Sequence, residues 1–154
     1  MKEKRGKYRK AIFCVAYSKT PKGIKYLLLK RKKHWKGWEF PKGKIEWYEL
    51  LNKRKTVLRE TKEETGLEIK RKTLKKHNYF GRYLYEKPLK DRPKIIGQTY
   101  SLYSGEVPYS NNVSFVRIEH NGFKWVSFKQ ALNLLTWDNQ KKALKIINEW
   151  LNKN

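Results

Sequence analysis

Cysteine is nearly absent from this sequence, in which Cys14 is the single example among 154 residues. One cysteine excludes a disulfide framework. Cys14 lies within an apolar run at residues 11–17, which predicts a small, buried hydrophobic side chain. Because this cysteine usage is typical of proteins in a reducing compartment, we expect a cytoplasmic location.

Long hydrophobic runs are also missing, and no segment approaches the length that spans a membrane. The basic residues 1–10 lead into only seven apolar residues, so we expect no signal peptide. Residues 1–10 are interpreted as a frayed basic arm or a sheet edge. Because no repeat or low-complexity linker interrupts the 154 residues, the sequence predicts a single domain over residues 1–154 with its own core.

Acidic residues are scarce: 14 Asp and Glu stand against 38 Lys and Arg, for a formal net charge of +24. Such an excess indicates a polyanionic partner, which is a nucleic acid, a nucleotide or a phosphorylated metabolite. The lysines are not confined to one block, so a general compositional bias is the alternative explanation. The composition leaves both interpretations open.

Hydrophobic patterning alternates between strand-like and helix-like segments. Predicted strands span residues 11–17, 24–29, 67–74, 79–85 and 95–105, with a short strand or extended segment at 113–118. A turn signal at residues 20–23 joins the first two as a hairpin. Predicted helices span residues 50–65, 128–135 and 139–151. The alternation predicts a three-layer α/β/α architecture around a mixed sheet.

The predicted helices carry capping and core signals. Ser127 and Asp138 are predicted N-caps of the second and third helices. The first helix is expected to direct four side chains inward: Leu51, Val57, Leu58 and Thr61. The third helix carries an apolar stripe that we interpret as core: Ala143, Leu144, Ile147, Trp150 and Leu151.

The first helix ends in an unfavourable cluster of carboxylates. Glu60, Glu63 and Glu64 fall at i, i+3 and i+4, so they share one face and repel one another. Two of them lie in the last turn, at the negative end of the helix dipole, before Gly66 provides a C-terminal stop. A bound Mg²⁺ or Mn²⁺ ion would compensate, since hard cations prefer carboxylate oxygens. A solvated acidic face is the alternative.

The surrounding residues resemble the Nudix box, G-x5-E-x7-R-E-U-x-E-E-x-G-U, where U is a bulky apolar residue. Gly43 and Glu49 match its first half and residues 59–67, RETKEETGL, match its second, with Thr61 at the first apolar position. Phe-Pro-Lys at residues 40–42 is the usual lead-in, whereas Trp-Tyr at residues 47–48 replaces Pro-Gly. Nine residues rather than seven separate Glu49 from Arg59, which predicts a longer or bulged start of the helix.

This resemblance to the Nudix hydrolases implies a fold, a metal and a reaction. The fold is the Nudix-type α/β/α sandwich with a mixed central sheet. The metal is Mg²⁺ or Mn²⁺, held by Glu60, Glu63, Glu64 and the carbonyl of Gly43. The reaction is hydrolysis of a pyrophosphate bond, and a non-catalytic nucleotide- or RNA-binding module is the alternative.

A second pattern, E-H-x-x-[YF]-x-W at residues 119–125, is similar to the asymmetric dinucleoside tetraphosphate hydrolases. The same residues fit E-x-x-G-[WF]-[RK]-W of the bacterial RNA 5′-pyrophosphohydrolases. The first resemblance implies conversion of bis(5′-nucleosyl)-tetraphosphate to a nucleoside triphosphate and a monophosphate, and the second implies an RNA 5′ end as substrate. Both imply that Glu119 is a further metal ligand or a base; a charged residue capping a turn is the alternative.

Catalytic and substrate-binding roles follow as hypotheses. Glu63 or Glu119 would accept the proton of the attacking water. Arg59 is expected to pair with Glu63 or Glu49 and to orient it, rather than to contact the substrate. The candidate substrate contacts are a basic loop at residues 31–36 and six side chains: Lys42, Lys44 and Lys94 for phosphates, His120 for a phosphate, and Phe123 and Tyr85 for a base. A solvated loop, an exposed His120 and a core Phe123 are the alternatives.

Overall fold

The computed structural model describes residues 6–153, which form one mixed sheet covered by helices on both faces. The strands are β1 (Lys7–Thr20), β2 (Gly23–Arg31), β3 (Gly37–Glu39), β4 (Lys42–Lys44), β5 (Lys75–Leu84), β6 (Ile95–Glu106) and β7 (His120–Val126). The helices are α1 (Lys53–Thr65), α2 (Phe128–Leu134) and α3 (Asp138–Lys153). The main strand order is β3-β2-β1-β6-β5, with β4 paired to β1 and β7 to β2. The β1–β6 pair is parallel and the others are antiparallel, so the predicted mixed sheet is confirmed.

The central strand β1 is buried on both faces because its side chains alternate between two apolar clusters. Phe13 and Val15 pack with residues of α2 and α3, whereas Ile12 and Cys14 pack on the opposite face with Val57 of α1. One cluster lies between the sheet and the helices on each face, as expected for three packed layers. The prediction of a buried Cys14 is confirmed.

The β1–β2 hairpin and the C-terminal helices follow the sequence signals closely. Gly23 has φ 101°, a left-handed conformation that glycine adopts without strain, where the hairpin turns. The Ser127 hydroxyl accepts a hydrogen bond from the Gln130 backbone and completes a capping box at the start of α2. Asp138 is the first residue of α3, and the predicted stripe is buried except for the half-buried Trp150.

Two predicted strands are absent from the structure. Residues 67–74 form an extended segment and a single 3-10 turn rather than a strand, although Leu67, Ile69 and Leu74 are buried. Residues 113–118 likewise form no strand. Alternating apolar residues identify side chains that reach a core, but only pairing with a neighbouring strand makes a sheet element.

The N-terminal residues and the start of α1 also differ from expectation. Residues 7–10 belong to β1 and pair with β6, so they are not a frayed arm; residues 1–5 lie outside the described part. Helix α1 begins at Lys53 rather than at residue 50, and Leu51 is fully exposed instead of buried. Among the helices of residues 6–153, none is both long and apolar enough to cross a membrane.

Candidate active site

Helix α1 presents its carboxylates at the edge of a cavity of about 150 Å³. Gly66 ends the helix with φ 73°, and its N–H bonds to the carbonyl of Lys62, as predicted for a glycine stop. The residues that line the cavity come from α1, three strands and two loops: Arg9, Arg31, Lys42, Gly43, Glu60, Glu63, Glu64, Arg92, Val116 and Glu119. The fold thus brings the predicted Nudix-box glutamates together with Glu119.

Burial makes two of these carboxylates hard to ionise. The pKa of Glu64 is raised well above its ordinary value by burial and by the nearby charges of Glu39, Glu119 and Glu60. Burial also raises the pKa of Glu60 to about 7, although Arg59 opposes this shift. Glu63, in contrast, has a side chain that is 55 % exposed. A divalent cation among these oxygens would offset both burial and mutual repulsion.

Gly43 is required by the position of Glu60. A Cβ atom added to Gly43 would lie 2.0 Å from the carboxyl carbon of Glu60, closer than any real contact of this kind. The preceding residue also contacts α1, because the backbone N–H of Lys42 donates a hydrogen bond to Oε2 of Glu64 at 3.2 Å. The backbone of β4 therefore approaches the α1 carboxylates as closely as a residue without a side chain allows.

Arg59 binds the glutamates on both sides of the box. Its guanidinium donates to Glu60 at 2.7 Å and to Glu63 at 3.2 Å, and it bonds both carboxylate oxygens of Glu49. A further N–H donates to the carbonyl of Lys44 at 3.0 Å. The predicted pairing with Glu49 and Glu63 is therefore present, and Arg59 is occupied by protein groups rather than directed at open space.

A buried acid that the sequence analysis missed lies behind the cavity. Glu39 is 1 % exposed, and its Oε2 atom lies 3.8 Å from Arg31, 3.6 Å from Lys42 and 3.7 Å from Nε2 of His120. Burial opposes ionisation, but Lys42 and His120 outweigh it and lower the pKa of Glu39 to about 2. The sequence feature that could have identified Glu39 is its position between the aromatic residues 38 and 40, in a chain with few acidic residues.

Glu119 and His120 form a candidate metal-binding group with Glu64. One ligand atom from each of these three residues lies within 4.8 Å of the others. Glu119 also lies 3.7 Å from Arg31. His120 is fully buried, so the alternative that it is exposed is wrong, and neither of its ring nitrogens has a hydrogen-bond partner among residues 6–153. Unpartnered buried nitrogens beside carboxylates fit a site that binds a cation or a phosphate ligand.

The other predicted substrate contacts are dispersed. Lys42 lines the cavity, whereas Lys44 and Lys94 are exposed and are not among the lining residues. Tyr85 is buried, and its hydroxyl accepts a hydrogen bond at 3.2 Å from Arg92, which does line the cavity. Phe123 packs against the apolar cluster on the α1 face of the sheet, in agreement with its core alternative.

Three lining cations were not among the predicted single residues: Arg9, Arg31 and Arg92. Arg31 belongs to the basic segment at residues 31–36, for which a phosphate or base contact was considered. Burial and the neighbouring Arg92 lower the pKa of Arg9. Two guanidinium groups held close together favour an anion between them.

Residues 7–147 match the family model described as NUDIX domain, which shows that the chain belongs to this family and that the Nudix-type fold is correct. The chain is also similar to solved structures of proteins whose names indicate different substrates or ligands. An Ap4A hydrolase of C. elegans, in a binary complex, has a TM-score of 0.72 at 23% identity, covering 95% of this chain and 99% of that chain. The dihydroneopterin triphosphate pyrophosphohydrolase of E. coli has a TM-score of 0.69 at 23% identity, with coverage of 90% and 94%.

A third similar structure is the NUDIX domain of Shewanella oneidensis NrtR, solved with ADP ribose, with a TM-score of 0.71 at 16% identity and coverage of 94% and 89%. At these identities the structural similarity shows the fold alone. No curated protein matches the sequence significantly. The comparisons therefore define the family and leave the substrate open.

Proposed function

We propose that this protein is a Mg²⁺- or Mn²⁺-dependent pyrophosphohydrolase of nucleoside polyphosphates, with bis(5′-nucleosyl)-tetraphosphate as the best candidate substrate. The observation that supports this most directly is the composition of the cavity. Four carboxylates, Glu60, Glu63, Glu64 and Glu119, face four cations in one small space. Carboxylates suit divalent cations and guanidinium groups suit phosphates, so one cavity offers ligands for both halves of a metal–polyphosphate complex.

The metal ligands in this proposal are the four carboxylates and the carbonyl of Gly43. A bound divalent cation would neutralise phosphate charge and make a bound water more acidic. The chain itself keeps the ligands in place: Gly43 leaves room for Glu60, and Arg59 fixes the directions of Glu60 and Glu63. These contacts are the kind of supporting interaction on which metal affinity depends.

Glu63 and Glu119 are the proposed bases. Glu63 is exposed at the mouth of the cavity and is held by Arg59, so a water in the cavity can reach its carboxylate. Glu119 lines the same cavity and lies 3.7 Å from Arg31. Either carboxylate can accept a proton from the attacking water, and the product is then a nucleotide displaced from phosphorus.

Arg9, Arg31, Arg92 and Lys42 are the proposed phosphate contacts. Lys42 is only partly available, since its ammonium lies 3.6 Å from Glu39 and 4.2 Å from the ring centre of Trp35. The proposed stacking surface for a base is Tyr83, which is half-buried; its ring centre lies 6.1 Å from that of the buried Tyr85. A cytoplasmic location stays a prediction that depends on the cysteine usage.

The tetraphosphate assignment is favoured by the pattern at residues 119–125, and an Ap4A hydrolase is among the similar structures. An RNA 5′-end pyrophosphohydrolase is the alternative that the net charge of +24 supports. The two differ in salt dependence, because an RNA that contacts many cations loses affinity steeply as salt rises, whereas a dinucleotide does not.

The test is a product assay in Mg²⁺ with diadenosine tetraphosphate and 5′-triphosphorylated RNA offered in parallel. ATP plus AMP from the dinucleotide supports the main proposal, and phosphate or pyrophosphate from RNA alone supports the alternative. Glu63→Gln should abolish turnover, whereas Glu68→Gln, an exposed acid that pairs with Lys62 outside the cavity, should not. Turnover of neither substrate would favour the non-catalytic binding module.

A further inference from the structure

A second, larger concavity lies beside the carboxylate cavity. It is a groove of about 960 Å³ between the start of α1 and strands β5 and β6, and no residue lines both spaces. The volume is at the upper end of the roughly 300–1,000 Å³ that is usual for small-molecule sites. Lys53 of the groove and Glu60 of the cavity lie on the same helix, separated by a rise of about 10 Å, so the two sites are neighbours.

The groove is basic and its charges are uncompensated. Lys10, Lys53, Lys76 and Arg82 line it, and no Asp or Glu is found among the described lining residues. Within residues 6–153 none of these four cations forms an ion pair. In the carboxylate cavity, by contrast, Arg31 and Lys42 are paired with Glu39. The groove therefore attracts anions, because no acidic side chain in the described part of the chain neutralises its cations; Arg82 lies over the ring of Tyr8, 5.1 Å from the ring centre.

The groove also exposes apolar surface that a folded domain normally buries. Phe80 is 73% exposed on β5, which pairs only with β6 in the described sheet. Leu50, on the opposite wall, is 43% exposed. An exposed ring beside unpaired cations is the combination that binds single-stranded nucleic acids, since bases stack on the ring and cations follow the phosphates.

We propose that this groove binds single-stranded nucleic acid, with Phe80 stacking on a base and the four cations contacting the backbone. Two other occupants fit less well. A second copy of a chain with a net charge of +24 would be repelled, and a flat membrane surface would not enter a concave groove. The groove uses none of the residues of the proposed hydrolase site, so this inference stands or fails independently of the substrate proposed above.

The test is a fluorescence-anisotropy titration of the full chain with an oligouridine of about ten nucleotides that carries a 5′-hydroxyl, in the absence of metal. This probe offers no 5′-phosphate to the hydrolase site. Phe80→Ala should weaken binding at least about fivefold, and Phe80→Trp should retain it, because stacking needs only an aromatic face. A duplex of the same length should bind more weakly than the single strand, since its bases are already stacked.

Charge-reversal variants distinguish binding in the groove from attraction by the net charge of the whole protein. The double variant K76E/R82E changes the net charge by the same amount as K142E/K145E on α3, where both lysines lie outside the groove. We expect the first pair to weaken binding and reduce its salt dependence clearly more than the second. Hydrolysis of diadenosine tetraphosphate should stay at the wild-type level in Phe80→Ala.

Three outcomes would overturn the proposal. The first is that the two charge reversals have equal effects, which would mean that overall charge alone binds the probe. The second is that Phe80→Ala binds as tightly as the wild type. The third is that a polyglutamate peptide of equal charge competes as well as the oligouridine, which would indicate an acidic protein partner instead.

Discussion

Arg59 holds the carboxylate of Glu49 through two parallel hydrogen bonds, from Nε to Oε2 at 3.0 Å and from Nη2 to Oε1 at 2.8 Å. The two residues beyond the usual Nudix spacing do not prevent this pairing. An exposed turn at residues 50–52 connects Glu49 to the helix, which begins at Lys53. Because the same guanidinium also bonds Glu60 and Glu63, the pair links the loop before the helix to the proposed metal ligands.

Glu49→Gln should destabilise the protein by about 1.5–3 kcal/mol, since it replaces a buried, charge-assisted pair of hydrogen bonds with a neutral amide. The hydrogen bonds from Arg59 lower the pKa of Glu49 to about 2. The stabilisation is therefore complete above the ordinary pKa of 4.5 and is lost as the pH falls toward 2. Urea unfolding of both proteins at neutral and acidic pH measures the difference.

The matched control for Glu49→Gln is Glu68→Gln, which breaks an exposed ion pair with Lys62. We expect its unfolding free energy to match that of the wild type, because an exposed ion pair contributes little to stability. Equal stabilities of Glu49→Gln and Glu68→Gln would show that the Glu49–Arg59 pair contributes nothing beyond a surface contact.

Gly43→Ala should reduce turnover and divalent-cation affinity at least about tenfold, because the added Cβ would displace the carboxylate of Glu60 and misplace a ligand. Calorimetric titration with Mn²⁺ and the product assay measure the two effects separately. Gly122→Ala is the control, since the nearest atom to its new Cβ is 3.8 Å away and the change is sterically free. Wild-type Mn²⁺ affinity in Gly43→Ala would contradict the assignment of Glu60 as a ligand.

The affinity for Mg²⁺ should increase as the pH rises toward about 7, by up to about tenfold per pH unit. Burial raises the pKa of Glu60 to about 7, so the cation must displace a proton below that pH. Without metal, the Glu60 carboxyl binds more protons in the folded than in the unfolded chain between pH 4.5 and about 7, so its contribution to stability falls as the pH rises through this window. Calorimetry in buffers of different ionisation enthalpy counts the released protons.

Glu60→Gln should remove this contribution of Glu60 to the pH dependence of stability, whereas the exposed Glu149→Gln should leave it unchanged. If the wild-type protein bound Mg²⁺ with the same affinity at about pH 6 and about pH 8, Glu60 would not be a protonated ligand in the metal-free protein.

Glu39→Gln should be the most destabilising of these substitutions, by about 3–5 kcal/mol, because it leaves Arg31 and Lys42 buried without their shared counter-charge. Thermal unfolding of the purified variant measures the loss. Adding inorganic pyrophosphate should restore part of it, since a polyphosphate anion in the adjacent cavity replaces the missing charge. The absence of any such recovery would show that these cations do not face the ligand site.

Local sequence patterns were enough to predict much of the fold and part of the site. The apolar period of α3, the hairpin turn at Gly23 and the capping box at Ser127 each depend on residues a few positions apart, so they could be predicted. The failures at residues 67–74 and 113–118 have one cause. An extended apolar segment becomes a strand only when a neighbour supplies hydrogen bonds, and that neighbour is remote in sequence.

The sequence by itself determined that Glu60, Glu63 and Glu64 share one helix face and that the helix stops at Gly66, because both follow from helical geometry. Only the tertiary structure decided which cations meet those carboxylates. Arg9, Arg31 and Arg92 reach one cavity from β1, β2 and the loop before β6, although up to 83 residues separate them. A chain with 38 lysines and arginines offers many candidates, and long-range packing selects among them because burying a charge is favourable only beside a counter-charge.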